Sequence, residues 1–241
     1  MSARMSEPGA FPIVPVAGLD IDLVGDFSCP WSFLGTRRLA RALEQLRGVP
    51  VRELRWHPLR LVRPAEAGGA GNVPTSWRGH LAARLPQGVS VELAESSLAE
   101  AGKALGIHFD FTRLGGMPDT TAAHRLVKLA AAEGLHGAVL DAIFQAYFER
   151  GQDIGDISVL AAIGEECGVS DKVLATFRDD PQAAYAEVIE DERRLLLLGV
   201  NSIPNLLLNR QVLVPGPADE QIYVKAIDQA LFPGTGSETK H

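Results

Sequence analysis

The 241-residue sequence predicts an α/β protein with an extra helical domain. Three observations point there: a strand-helix-strand opening, a middle made only of helical patterns, and a hairpin followed by one closing helix. An apolar content of 46% is enough to fill a core at this length.

In the opening, Leu19, Ile21 and Leu23 alternate with Asp20 and Asp22, so Leu19 to Asp26 reads as a half-buried strand. A helix runs from there toward Gly48, with Leu34, Leu39, Leu43 and Leu46 near helical spacing. Val51 to Trp56 is the second strand, ended by His57-Pro58 because a proline restricts the residue before it. Strand, helix and strand in this order imply a right-handed parallel crossover. Gly68, Gly69 and Gly71 make residues 64–75 a loop. Beyond it, Ala94, Leu98, Ala101 and Leu105 recur at helical intervals until Gly106. Further helices are expected over Thr120 to Glu133, His136 to Arg150, Asp156 to Cys167 and Pro181 to Leu198, with Asp156 as an N-cap and Pro181 as a first-turn proline. Strands return at Asn205 to Leu208 and Val212 to Val214 around Asn209-Arg210-Gln211, and Ala218 to Leu231 is the last helix. Residues 1–18 and 233–241 read as poorly ordered tails.

The net charge of -7, with no run of Lys or Arg, argues against nucleic acid and membrane surfaces as partners. Residues 1–18 lack a basic segment followed by an apolar one, so no secretory signal is expected, and no stretch reaches the roughly 18 apolar residues of a membrane span. A cytoplasmic location is expected, where thiols stay reduced. Thiol or disulfide substrates, peptide or small molecule, remain as partners, and a homodimer stays open. Cys29 and Cys167, the two cysteines present, do not make a zinc site, so no metal is expected.

Cys29-Pro30-Trp31-Ser32 sits where the first strand turns into the first helix. The opening amides of a helix have no intrahelical partner and the dipole adds positive charge, so an anion there is stabilised. Pro30 suits the first helical position, which makes Cys29 the N-cap. An exposed cysteine so placed can titrate well below its ordinary value and act as a nucleophile at neutral pH, and a Ser32 hydroxyl bond to the sulfur would help. The competing reading is a small buried cysteine near a helix start. Cys167, just before Gly168 at a helix end, reads as a packing residue unless it approaches Cys29 in space.

Asp26, Cys29, Pro30, Trp31, Phe33, Leu34 and Gly35 resemble the opening motif of the DsbA-like thioredoxin superfamily, FrnE-like branch, except that Ser32 stands where the second, resolving cysteine is usual. A sister branch, the 2-hydroxychromene-2-carboxylate isomerases and kappa-class glutathione transferases, is similar too but carries serine at the Cys29 position. The resemblance implies a thioredoxin fold with an inserted all-helical domain, residues 19–63 and 186–232 forming the first and 76–185 the second. It further implies that Ile203-Pro204 is a cis bond lying against Cys29, with the Ile203 backbone able to pair with an extended substrate.

Trp56-His57-Pro58-Leu59 resembles the family's Trp-x-Pro-Phe, and places His57 as a proton shuttle facing the thiol, against an ordinary strand-end histidine. Asp119 through Arg125 is similar to the motif Asn-Thr-x-x-Ala-His-Arg, with Asp119 for asparagine; it puts His124 and Arg125 near the site, while Thr120 is equally an N-cap and His124 a packed helix residue. The Gly151 to Asp156 loop and Val214-Pro215-Gly216-Pro217 read as turns. Cys29 and Ser32 are thus the expected catalytic residues, and Pro30, Trp31, Ile203, Pro204, His57 and His124 the expected substrate-binding ones. The function implied is a thiol-disulfide oxidoreductase or isomerase working through a single cysteine. It requires no cofactor, with glutathione or another low-molecular-weight thiol able to take part. A glutathione-dependent isomerase or transferase is the alternative, and a non-catalytic thioredoxin-fold binding or chaperone module a third.

Overall fold

The computed structural model describes residues 18–63 and 76–233. The expected loop over 64–75 and nearly all of the expected tails lie outside these residues. Four strands form one sheet in the order β2-β1-β3-β4, where β1 is Leu19–Gly25, β2 Val51–Pro58, β3 Asn205–Leu208 and β4 Val212–Pro215. β1 pairs parallel with β2 and antiparallel with β3, and β3 and β4 form a hairpin. Its turn places Asn209 and Arg210 at φ of 48° and 57°, as a twist-matched tight hairpin requires. Asn209 accepts from the Asp20 amide and donates to the Ala230 carbonyl, which ties the turn to β1 and to the end of α9 (Glu220–Leu231).

Interior position explains one departure from the sequence reading. Strand β1 is buried on both faces, so Asp22 is not a solvent-facing residue but an 8% exposed one, held by Arg55 and His57 from β2. β2 also runs two residues past Trp56, because His57 and Pro58 continue the register opposite Val24 and Gly25. A proline is tolerated there since β2 is an edge strand. The crossover helix α1 (Pro30–Gln45) packs with α9 on the sheet.

The helical block contains α2 (Trp77–Ala82), α3 (Val91–Ala104), α4 (Thr121–Ala131), α5 (His136–Phe148), α6 (Ile157–Glu166) and α7 (Asp171–Asp179), followed by α8 (Tyr185–Leu197). Neither α2 nor α7 was expected, although Ser76 and Ser170 each cap by accepting from an amide three residues on, a legible start signal. Pro181 does not open a helix. Residues 181–184 form a turn ending in Ala184 at φ 58°, held because Arg125 donates to the carbonyls of Phe177, Asp180 and Ala183. Asp156 caps α6 as expected, accepting from Ser158 and Val159.

Aromatic rings join the sheet to the helical block. Phe33 of α1 stacks on Phe144 of α5 at 5.0 Å, Phe27 meets Phe144 and Trp56, and Trp77 stacks on Phe111 at 4.8 Å. Such pairs contribute about 0.5–1.5 kcal/mol each beyond their burial, and they hold the end of β1 under the helices.

Candidate active site

β1 ends at Gly25 because the chain must pass close beneath Trp56 and Ser32. A Cβ at Gly25 would stand 2.4 Å from the Trp56 ring and 2.9 Å from Ser32 Oγ. Cys29 is the N-cap of α1, extended at φ -97° and ψ 112°, with Pro30 in the first turn. The Ser32 and Phe33 amides donate to its carbonyl at 3.1 and 3.3 Å, which starts the helix.

The sulfur, however, takes no capping bond, and Cys29 is only 3% exposed. Burial is the strongest influence on the thiol, and the Asp26 charge acts the same way; the Ser32 hydroxyl and the Ser32 and Trp31 amides pull down without prevailing, so the pKa is pushed up to about 11. The expectation of an exposed, ionised Cys29 at neutral pH is therefore corrected. The helix terminus offers the sulfur less than water would, so the thiol is the favoured form at neutral pH.

Asp26, fully buried, is the centre of the local polar structure. Its Oδ2 accepts from the Ser28 hydroxyl at 2.7 Å and the Leu61 amide at 2.9 Å, and its Oδ1 faces His124 Nε2 at 3.3 Å. Burial opposes the charge, but the His124 bond and attraction, the Leu61 amide and the Thr120 hydroxyl outweigh it, so the carboxyl is held below its usual range. Trp56 Nε1 donates to His124 Nδ1 at 2.9 Å. Since indole nitrogen can only donate, His124 carries its proton on Nε2. Burial lowers the His124 pKa despite Asp26, leaving a neutral ring beside an ionised carboxylate.

Above this centre lies α2. Trp77 Nε1 donates to the Ser28 carbonyl at 3.3 Å, one residue before Cys29, and the Trp77 amide donates to Gly115. Trp77 and His80 are one turn apart on the same buried face, exposed by 2% and 5%.

The Ile203-Pro204 bond is cis. Pro204 lies against α1 at Gly35, where an added Cβ would come within 3.7 Å of the proline ring and 3.3 Å of the Tyr223 hydroxyl. A Cβ there would make ordinary contact with the proline ring and press on the Tyr223 hydroxyl. Ile203 and Trp31 are half-buried, Pro30, Ser32 and Pro204 buried.

Two expected site residues are placed elsewhere. His57 alternates with Trp56 and so points to the opposite side of the sheet, where its Nε2 meets Asp22 at 2.8 Å and its Nδ1 lies 3.8 Å from Asp191 of α8. There it lines a cavity of about 660 Å³ with Lys128 and Asp191; it does not face the thiol. His124 is near the site, but at 1% exposure with both ring nitrogens engaged it positions Asp26 and cannot line a substrate surface. Cys167 is the half-buried C-cap of α6, unpaired, and the charges that reach it are those of Glu166 and Asp141.

Sequence reading missed Trp77, His80, Arg60 and Glu192. The last two form a buried ion pair in which Glu192 also accepts the Arg60 amide at 2.8 Å, and Arg60 donates to Thr121. That pair fixes the chain leaving β2 to α8 and to the start of α4. No local pattern marks it, since its partners are 132 residues apart.

The model of the DSBA-like thioredoxin domain matches residues 20–228. The crystal structure of a probable DsbA oxidoreductase, SCO1869 from Streptomyces coelicolor, is similar at 26% identity and a TM-score of 0.73, covering 92% of this chain and 93% of that one. The fold is shared as well with a 2-hydroxychromene-2-carboxylate isomerase (18% identity, TM-score 0.63, 87% and 95% covered). It is shared too with the cytosolic disulfide reductase DsbM from Pseudomonas aeruginosa, solved with GSH (20% identity, TM-score 0.57, 90% and 98% covered). A sheet of order β2-β1-β3-β4, a proline-led helix after its central strand, a cis proline against that helix and a family match over nearly the whole chain lead to one conclusion: the protein belongs to the DSBA-like thioredoxin domain family.

Proposed function

We propose that the protein is a thiol-disulfide exchange enzyme acting through Cys29 alone. The observation that carries this reading is that Cys29 caps the N-terminus of α1 while a cis Ile203-Pro204 loop packs on the same helix at Gly35. The likeness to a probable DsbA oxidoreductase supports it. In the first step Cys29 sulfur attacks one sulfur of a substrate disulfide; the substrate S–S bond breaks, a Cys29–S bond forms, and the departing thiolate takes up the proton Cys29 gives up. Ser32 has no sulfur with which to displace the bound half. An external thiol therefore attacks the mixed disulfide, leaves as a new disulfide and returns Cys29 to the thiol. Over the two steps one disulfide and one thiol become another disulfide and another thiol, so the reaction is exchange or isomerisation. It suits a cytoplasmic setting rich in small thiols.

The decisive experiment follows turnover of a disulfide substrate with an external thiol and captures Cys29 as a mixed disulfide by mass spectrometry. Cys29→Ser should abolish both; a Cys29→Ser variant with full turnover would show the reading to be wrong.

A second reading, a glutathione-dependent isomerase, is favoured by the buried, protonated state of Cys29. Here the Cys29 S–H and Ser32 O–H would donate to a bound thiolate without forming a disulfide. Calorimetric titration with reduced glutathione separates the two, because this reading requires a noncovalent complex that survives in Cys29→Ser.

A further inference from the structure

Strand β2 is an edge of the sheet, and among the described residues it pairs with β1 alone, so its outer side carries backbone N–H and C=O groups that no strand takes. Every residue from 51 to 57 lines the cavity of about 660 Å³. Neighbours on a strand point to opposite faces, so a cavity beneath one face would be lined by alternate residues. Lining by each in turn means that the cavity runs along the outer edge itself, for roughly 20 Å at about 3.3 Å per residue. Pro50 precedes the strand and Pro58 ends it, which confines pairing to the stretch between them.

The far wall is built by α4 with Val127 and Lys128, by His136 at the start of α5, and by α8 with Glu187 and Asp191. The edge is thus recessed between the sheet and the helices. A second copy would bring its own β2 behind the same helices, so two such edges cannot meet, whereas a single extended segment can enter. The two sides of the groove differ in chemistry. Glu53, Arg55 and His57 point to one face, where α8 supplies Asp191, and Leu54 and Trp56 point to the other. Charge selects the occupant. Arg52 is held by Asp20, Arg55 by Asp22 and Glu53, and Lys128 by Asp191, so no lining arginine or lysine is left for an acidic ligand. Glu187, exposed in the first turn of α8, makes no ion pair among the described residues, and the unmet charge of the groove is negative.

We infer that the outer edge of β2 is a docking site for an extended peptide with alternating basic and apolar side chains, which joins the four-stranded sheet as a further strand. The peptide backbone pairs with β2, its basic side chains lie toward Glu187 and α8, and its apolar ones lie toward Leu54. The cavity lining holds neither Cys29 nor the cis proline, so this site stands apart from the thiol exchange proposed above.

The test is an NMR titration of the full chain that follows the amides of residues 51–57. Two capped heptapeptides are compared, one alternating lysine with valine and one alternating glutamate with valine, and the lysine form is then N-methylated at one backbone amide after another. The lysine peptide should bind at least about tenfold tighter than the glutamate one, and Glu187→Lys, a change at an exposed position, should remove most of that difference. N-methylation should weaken binding by about fivefold or more at alternate positions and leave the positions between them unchanged, because only every second amide of an added strand faces its neighbour. No shift at residues 51–57 up to about 1 mM lysine peptide would mean that the edge is guarded by its own charges, and the inference falls. Equal binding of the two peptides, or N-methyl effects without alternation, overturns it as well. A wild-type dimer in sedimentation that the lysine peptide dissociates would give the edge to a second copy of the chain instead. None of these readouts uses thiol turnover, so the exchange reading stands or falls separately.

Discussion

Trp56 Nε1 donates to His124 Nδ1 across 2.9 Å, and this bond decides the protonation of the whole centre. With Nδ1 committed as an acceptor, His124 must turn an N–H toward Asp26 Oδ1, and a second proton on the ring would set two donors against each other. Asp26 is thereby ionised beside a neutral histidine, and its charge is one of the influences that keep Cys29 protonated.

Alkylation of Cys29 should rise about tenfold per pH unit from neutrality, since only the thiolate reacts, and level off near the pKa of about 11. Mass-resolved iodoacetamide labelling in a Cys167→Ser background measures this. A plateau below pH 8 would mean that the buried arrangement is not the reactive one.

Asp26→Asn should lower the Cys29 pKa, because one of the influences raising it is the Asp26 charge. It should also cost about 1–3 kcal/mol, the range for disturbing buried charge-assisted hydrogen bonds. The sign with pH follows from the depressed Asp26 pKa: its contribution is present above the unfolded value of about 3.9 and is lost as pH falls through the lower folded value. Acid denaturation curves of the two proteins should therefore converge as the solution becomes more acidic. Parallel curves throughout would remove Asp26 from the account.

Trp56→Phe keeps an aromatic ring against Phe27 and Phe144 but deletes the donor to His124. A loss of about 1–2 kcal/mol is expected, and His124 should gain a titration in its NMR shifts that wild-type protein lacks at neutral pH. An unchanged His124 tautomer in the variant would contradict the role given to Trp56.

Arg60→Ala should destabilise by about 1–3 kcal/mol, since it leaves the buried Glu192 carboxylate with the half-exposed Arg63 at 3.0 Å as its remaining ion-pair partner. The pair's side chains are only 4% and 5% exposed. Replacing both at once, Arg60→Met with Glu192→Leu, should cost less than the single change, as chemical denaturation would register. A double variant worse than Arg60→Ala would show that the pair's attraction exceeds its desolvation cost.

Gly25→Ala should be destabilising by about 1–3 kcal/mol and should disturb Cys29 labelling. Its Cβ would collide with the Trp56 ring and Ser32 Oγ, neither of which can retreat from a packed core. Wild-type stability with wild-type labelling would show that the approach of β1 to α1 is looser than described.

Much of the fold was legible because its signals are local. Alternation marked β1, the Cys29-Pro30 pair marked the start of α1, and Asp156 and Gly168 marked the ends of α6. Helix α2 was legible only in its Ser76 cap, since six residues offer too little periodicity, and the segment is fixed by Trp77 reaching Ser28 and Phe111. His57 was misplaced because the sequence reading ended β2 at Trp56; the strand continues to Pro58, so alternation turns His57 to the face opposite Trp56.

Neighbours along the backbone are enough to place a sulfur at the head of α1, to show that no second sulfur stands three residues later, and to mark a proline loop near the end of the chain. Contacts across the fold cover this sulfur and keep it protonated, leave Asp26 charged beside a neutral His124, and bring Trp77 onto the Ser28 carbonyl. Solvation and charge depend on which groups surround an atom in space. Here those groups come from β1, β2, α2 and α4, which only the folded chain brings together.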